Sequence, residues 1–530
     1  MEKNLDPLET AERWTWQSRA WVLIALALVC LMPSCQSLWI DECFTPRFAS
    51  DRSIGDFVRR LVHDQGSECL MPLGMLSSWT GAKVFGLSEL GLRMVSTLWA
   101  GVAVVMMWRA GRILRIPWLP CLLACHPFLW YYGGEARPYA MVIAMSAGVL
   151  YALAGIAEPS GTERRRGVFA LLLFGPLMCA VHITAVLPFA VTFVVAAYLL
   201  HRVDWRPRRL DWLAIGVSGC ALLALGSYYI WMLSRDVTLL NTGLLKAGPK
   251  TSLFAVYELL GFMGFGPGRF KLRALALEGG MGALGGGYLR PTAVGAMLLT
   301  VLYFAIAFRL MRRARLHGQR DVRFAALAAT VVVISGVLSY LLSLVVGYPF
   351  WGRHLAGFLP FVVAVIAIGA EAPPPMKTTT PRAVGLLLCG TLLASSLLVR
   401  FHPEHSRDDY RGAARIARET LRLEKTVWWS ASDACIDYYR VTVCDDEEHA
   451  ADCVVNTTNR TADDLEAMPR PDLVIVSKPD LFDTAGGLTE YLSHHRFVPR
   501  EHLIAFEIFE PEVDYLSQNR ARRFDATAPR

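Results

Sequence analysis

The chain has 530 residues, 54% of them hydrophobic, and a formal net charge of +7. A bilayer core about 30 Å thick takes about 20 largely apolar residues per helix, and apolar runs of that length recur from Ala20 to Arg400, which excludes an ordinary soluble domain. The basic excess does not call for a nucleic-acid partner, because arginines gather at every second connection: Arg13 and Arg19; Arg109, Arg112 and Arg115; Arg164 to Arg166; Arg202, Arg206, Arg208 and Arg209; Arg309 to Arg315. That alternation marks the cytosolic side of a multi-pass protein of the cell inner or plasma membrane. It sets the N-terminus in the cytosol. An odd number of spans carries Asp41, Glu135, the stretch Tyr348 to His354 and the tail after 401 to the outer face.

About eleven spans are predicted, near 20–38, 91–108, 116–132, 138–156, 167–181, 183–200, 211–233, 291–309, 322–346, 355–371 and 383–400. The first run has the charged flank of a signal sequence. Pro33-Ser34-Cys35-Gln36 supplies neither an A-x-A cleavage site nor a good lipobox, so it reads as an uncleaved anchor. The carboxylate pair Asp41-Glu42 stands where this run leaves the membrane.

Residues 39–90 are too polar to span and too apolar for a free loop, and are expected to lie on the membrane. Ser53 with Asp56 forms an acidic capping box, and Ile54, Phe57, Val58, Leu61 and Val62 follow at the spacing of a one-sided apolar helix. A second such helix is predicted from Pro72 to Phe85, and helices of this kind can wall off a cavity above the bilayer. A further ionisable group, Glu135, Arg137 and Tyr139, sits at another membrane exit. Ionisable side chains at such depths are costly and point to function.

The segment Ser234 to Arg290 is glycine-rich and reads equally as a mobile lid or a disordered loop, with Lys246, Lys250, Arg269, Lys271 and Arg273 available to lipid phosphate or headgroups. Its glycines do not form a phosphate-binding fingerprint. After 401 the composition turns polar, and short patterns alternate: a helix over 408–421, strands over 426–429, 472–476 and 503–509, and a helix near 488–492. The fold class is therefore mostly α, a polytopic membrane helical bundle over 1–400 with a small α/β outer domain over 401–530. Of the twelve cysteines, only those of outer segments could be oxidised; Cys43 with Cys69, and two of Cys435, Cys444 and Cys453, are candidate disulfides whose connectivity the sequence leaves open.

Four stretches, taken in order, carry a resemblance: "SLWIDECFT" after the first span, "FGLSELGLRMVS" entering the second, "HPFLWYYGGEARPYAM" between the third and fourth, and "WGRHLAGFLP" entering the tenth. Together they resemble the GT-C membrane glycosyltransferases, in particular the lipid-A aminoarabinose and protein-O-mannosyl transferase group. The likeness covers roughly 20–400, and "RDDYRGAARIARE" resembles the start of the outer domain of bacterial relatives.

The resemblance implies an inverting transfer of a sugar from a polyprenyl-phosphate carrier to a glycan, lipid or protein acceptor on the outer face. Asp41 matches the family's first carboxylate and is assigned the acceptor's proton, a task worth about 10² to 10⁴ in rate. Glu42 is expected to organise the site with Arg137 as its cation, since adjacent carboxylates repel. Glu135 and Tyr139 belong to the same substrate-binding group. The leaving phosphate needs cationic or backbone donors, and Arg353 and His354 stand where relatives carry an Arg-Tyr pair; Arg93 matches a further family arginine of structural or phosphate-binding role. His182 stands where relatives often carry a histidine, with Glu68 as its oxygen partner if a divalent metal binds. No other cofactor is implied. Leu70-Met71-Pro72-Leu73 departs from the family's His-Pro-Pro-Leu or Lys-Pro-Pro-Leu, which removes one expected donor contact. The rival readings are a transporter, which would place its coupling charges at mid-membrane on interrupted, repeated helices, or another membrane enzyme that handles polyprenyl lipids.

Overall fold

The computed structural model describes residues 7–63, 66–235, 247–268, 272, 291–315, 320–347, 350–371, 380–444 and 453–512. Most of the expected lid, including Lys246, Arg269, Lys271 and Arg273, lies outside the described residues, as does Tyr348. The chain forms two compact units, Met1–Ser34 with Arg47–Ser406, and Cys35–Pro46 with Arg407–Arg530. The expected division near 400/401 thus falls six residues later, and a short early segment that holds Asp41 and Glu42 belongs to the second unit.

Among the described residues of the first unit, eight helices are long and apolar enough to cross a membrane: Glu89–Leu114 (α5), Tyr139–Ile156 (α8), Ile183–Arg202, Arg209–Arg235 (α11), Thr292–Arg315, Arg320–Val346, Gly352–Ala370 and Ala383–Phe401. The chain is an integral, multi-pass membrane protein. The other three expected spans take different forms, each with a local cause. The first helix, Pro7–Val29 (α1), stops short of Pro33, whose ring disfavours helix in the residue before it. The run near 116–132 is split into Leu119–Ala124 (α6) and Pro127–Gly133 (α7), because Pro127 lacks an N–H and His126 caps the second piece through Nδ1, which accepts from Phe128 N at 3.2 Å. The helix Gly161–Val181 (α9) opens on charged residues and contains Pro176.

α8 is the axis of this unit, with 94% of its most apolar window buried, whereas the same measure for α11 is 11%. Small residues admit the close neighbours of α8: a Cβ on Gly167 would lie 2.6 Å from the carbonyl oxygen of Ala152. On the outer helices Leu223, Phe304 and Val345 stand exposed, the surface expected of helices bathed in hydrocarbon rather than water. Preceding α5, three shorter helices follow the first helix: Phe44–Ala49 (α2), Ile54–His63 (α3) and Pro72–Phe85 (α4). The predicted cap forms, with Asp56 N donating to Ser53 Oγ at 3.1 Å and Ser53 Oγ donating to Asp56 Oδ2 at 2.7 Å. Phe57 and Leu61 are buried with Phe48, Met71 and Met75, while Ile54 and Val58 of the predicted stripe are exposed.

The second unit is built on a six-stranded sheet of order β2-β3-β1-β4-β6-β5. Its strands are Val427–Ser430 (β1), Val443–Cys444 (β2), Val454–Asn456 (β3), Leu473–Ser477 (β4), Phe497–Leu503 (β5) and Phe506–Pro511 (β6). β2, β3, β1 and β4 run parallel, and β6 and β5 add an antiparallel hairpin. Every residue of β1 and β4 is buried, as parallel strands covered on both faces require. The strand expected over 503–509 is present as β6 from Phe506, while Leu503 closes β5 and Ile504-Ala505, the latter at φ 73°, make the turn between the two. The helix Tyr410–Leu421 begins at Asp409, whose Oδ1 accepts from Gly412 N at 2.9 Å. Of the expected disulfides, Cys444–Cys453 is present; Cys43 and Cys69 are both free thiols, in different units.

Candidate active site

The first unit gathers one group of buried ionisable and aromatic side chains. Arg137, in the turn between α7 and α8, donates from Nη1 to Glu68 Oε1 at 2.7 Å, and both side chains are 4% exposed. Glu68 is presented by the short 3-10 turn Ser67–Leu70, and Ser67 Oγ donates to the same oxygen at 3.3 Å. Burial is the largest single influence and opposes the charge of Arg137, but Glu68, Tyr139 and Glu135 together outweigh it and hold the guanidinium above its ordinary range. The backbone at Arg137 is fixed from α5, where Ser96 Oγ donates to the Arg137 carbonyl at 3.1 Å. Arg93, one turn earlier and wholly buried, donates from Nη1 to Ser34 O at 2.9 Å and Ser34 Oγ at 3.1 Å. Glu135 is also fully buried and contributes to the field at Arg137.

From Arg137 a row of rings leads across the unit. Tyr139, the first residue of α8, lies with its ring centroid 5.6 Å from Tyr132 and 5.9 Å from His182, and His182 lies 6.1 Å from His354. His182 Nδ1 accepts from Thr184 N at 3.2 Å and so caps the following turn. Burial, with the charge of Arg137 second, pushes this imidazole down to about 3, which suits a ring held as an acceptor. Arg353 and His354 open the 3-10 stretch Gly352–Phe358, and the Arg353 guanidinium stands 5.5 Å from the Trp351 ring.

Sequence reasoning missed one carboxylate beside this row. Glu258, at the end of helix Pro249–Leu259 (α12), is fully buried and accepts from Tyr132 OH at 3.0 Å through Oε2. The same carboxylate presses on Gly352, where a Cβ would fall 1.6 Å from Oε2, so only glycine fits beside Arg353. No spacing signal joins residues 126 positions apart.

In the second unit the two adjacent carboxylates differ. Glu42 is wholly buried; its Oε2 lies 3.4 Å from Arg407 Nη1 and accepts from Trp39 N at 3.3 Å. Asp41 is only partly buried. Glu42 and Arg137, expected to pair, each have an ionic partner within their own unit: Glu42 takes Arg407, the first residue of the "RDDYRGAARIARE" stretch, and Arg137 takes Glu68. The segment that carries the pair is tied to its unit by Tyr439, whose OH accepts from Leu38 N at 2.9 Å and lies 3.0 Å from Ser37 Oγ. Arg411 N also donates to Ser37 Oγ at 3.0 Å.

A metal at His182 and Glu68 does not fit the donor sets: Glu68 serves Arg137, and His182 Nδ1 serves Thr184. Among the described residues, the ligand-type group of three that gathers within 4.8 Å is Cys121, Cys125 and Cys389, inside the membrane bundle.

No family model and no curated protein sequence matches the chain. Solved structures do. The apo crystal structure of ArnT from Cupriavidus metallidurans aligns with TM-score 0.52 and 13% identity, over 94% of this chain and 98% of that one. The same protein bound to undecaprenyl phosphate aligns at TM-score 0.48 and 13% identity, over 92% and 97% of the two chains. The arabinofuranosyltransferase AftD from Mycobacteria aligns at TM-score 0.47 and 13% identity, over 94% of this chain and 40% of that one. The membrane bundle with its small sheet unit thus has an ArnT-like GT-C fold.

Proposed function

We propose that the chain is a membrane glycosyltransferase that moves a sugar from a polyprenyl-phosphate carrier to a hydroxyl acceptor on the outer face, with inversion at the sugar carbon. The observation that carries this reading is the division of labour within Asp41-Glu42, on a chain with a GT-C fold. Glu42 is buried and committed to Arg407 and the Trp39 N–H, whereas Asp41 keeps access to its surroundings. A general base must reach the proton it removes. In this reading Asp41 accepts the acceptor's proton as the hydroxyl oxygen attacks the anomeric carbon, the bond to the carrier phosphate breaks, and the lipid phosphate departs as an anion. Glu42 orients the turn that presents Asp41.

The departing phosphate needs positive charge where its own charge grows. Arg353 is assigned that task, with His354 beside it and Arg93 a further cation of the same unit. Arg137 is held rigid by Glu68, and with Glu135 and Tyr139 it forms a fixed ionic and aromatic wall for the sugar. No step is routed through a metal.

The test is turnover of a labelled polyprenyl-phosphate sugar by purified protein. Asp41→Asn keeps the shape and removes the base, so transfer should fall about 10² to 10⁴-fold while carrier binding persists. Arg353→Ala should weaken carrier binding instead. Near wild-type turnover by Asp41→Asn sinks the assignment.

A further inference from the structure

We propose that Cys43 and Cys435 form a disulfide that fastens the segment of the acidic pair to the sheet unit. This rests on the reading that places the unit on the outer face, where oxidising conditions let disulfides persist. Cys43 follows Glu42 directly in sequence, and Cys435 lies in the first turn of helix Asp433–Tyr438. Both are wholly buried free thiols.

The two sulfurs converge on one short stretch of backbone. Cys43 Sγ approaches the Leu38 carbonyl at 3.9 Å, and Cys435 Sγ approaches the Ile40 carbonyl at 4.0 Å. Burial raises the Cys43 thiol well above its ordinary range, and the neighbouring Cys435 thiol raises it further. The surrounding contacts fix this register without any bond between the sulfurs, since Tyr439, just past the same helix, holds Ser37 and Leu38. A covalent link would therefore join two thiols that border the same turn, Leu38 to Ile40, within one compact unit. The partner named from sequence, Cys69, belongs to the other unit, and Cys121, Cys125 and Cys389 belong to the membrane bundle.

The oxidant is a thiol–disulfide exchange donor of the outer compartment. One thiolate attacks a donor sulfur and displaces the other, and the second cysteine thiolate then displaces the donor from the mixed disulfide. One S–S bond forms in the protein and one is lost in the donor. The two cysteine protons end on the donor's two thiols. Because both sulfurs are buried once the unit is folded, the exchange belongs to folding.

The test uses full-length protein purified without reductant. It is denatured in N-ethylmaleimide to cap every free thiol, digested, and mapped by mass spectrometry. A peptide that links Cys43 to Cys435 is expected, alongside one that links Cys444 to Cys453. In Cys435→Ser, Cys43 should become fully alkylated under the same treatment. Capture of maleimide on both Cys43 and Cys435 in protein whose Cys444–Cys453 bond is intact would overturn the proposal while leaving the outer-face reading standing. Maleimide on all four cysteines would overturn both.

Discussion

The Glu68–Arg137 pair allows a sharp test of what holds the buried cluster. At an N···O separation of 2.7 Å and an effective dielectric of about 20, the attraction is about 6 kcal/mol. Removing both groups from water costs several kcal/mol each, which consumes most of that gain. The pair as a whole thus adds little, but either partner alone is an uncompensated buried charge. Glu68→Gln should destabilise the protein by about 3–5 kcal/mol, and Arg137→Met by a similar amount. Glu68→Gln combined with Arg137→Met removes both charges and should lose no more than the worse single variant. The assay is the free energy of unfolding from denaturing-detergent titration of protein in micelles, followed by circular dichroism. A loss below about 1 kcal/mol for Glu68→Gln, the size of an exposed pair, would refute the reasoning, as would strictly additive losses.

His182 supplies a pH test. Its folded-state pKa of about 3 lies below the ordinary value of 6.5, so protons bind the unfolded chain more tightly, and the stability it contributes is complete above 6.5 and is lost as pH falls toward 3. The melting temperature should therefore drop between pH 6.5 and 4, and His182→Asn should flatten that slope; an unchanged slope contradicts a buried neutral ring. Orientation is tested by single cysteine reporters in a cysteine-free background. An impermeant thiol reagent applied from outside should label Ser406→Cys and not Asp204→Cys, and the opposite pattern would place Asp41 in the cytosol.

The membrane helices were legible because apolar length and flanking arginine are local properties of the chain. Their interruptions were less so: the Pro127 break lies inside an apolar run that reads as continuous by hydropathy. In the sheet unit, β1 and β4 announced themselves as short apolar runs, while the β5–β6 turn passes through Ile504 and Ala505 with no glycine, asparagine or proline to mark it. Motif order singled out Asp41, Glu42, Arg137 and Arg353 as candidates. It could not say which charge meets which, because the partners, Glu68 for Arg137 and Arg407 for Glu42, are chosen by packing across long stretches of chain. Glu258 carried no motif and emerged only through its contacts with Tyr132 and Gly352.

The second unit joins residues 35–46 to residues 407 and beyond, and this has a consequence for biogenesis. Roughly 360 residues separate the two parts, so at about 5–20 residues per second the ribosome delivers the second part about 20 to 70 s after the first. Throughout that interval the acidic turn lacks Arg407, Tyr439 and Cys435, and most of the membrane helices are inserted meanwhile. The Asp41 turn thus gains its partners last, and an unfinished chain can occupy the bilayer before that turn is complete.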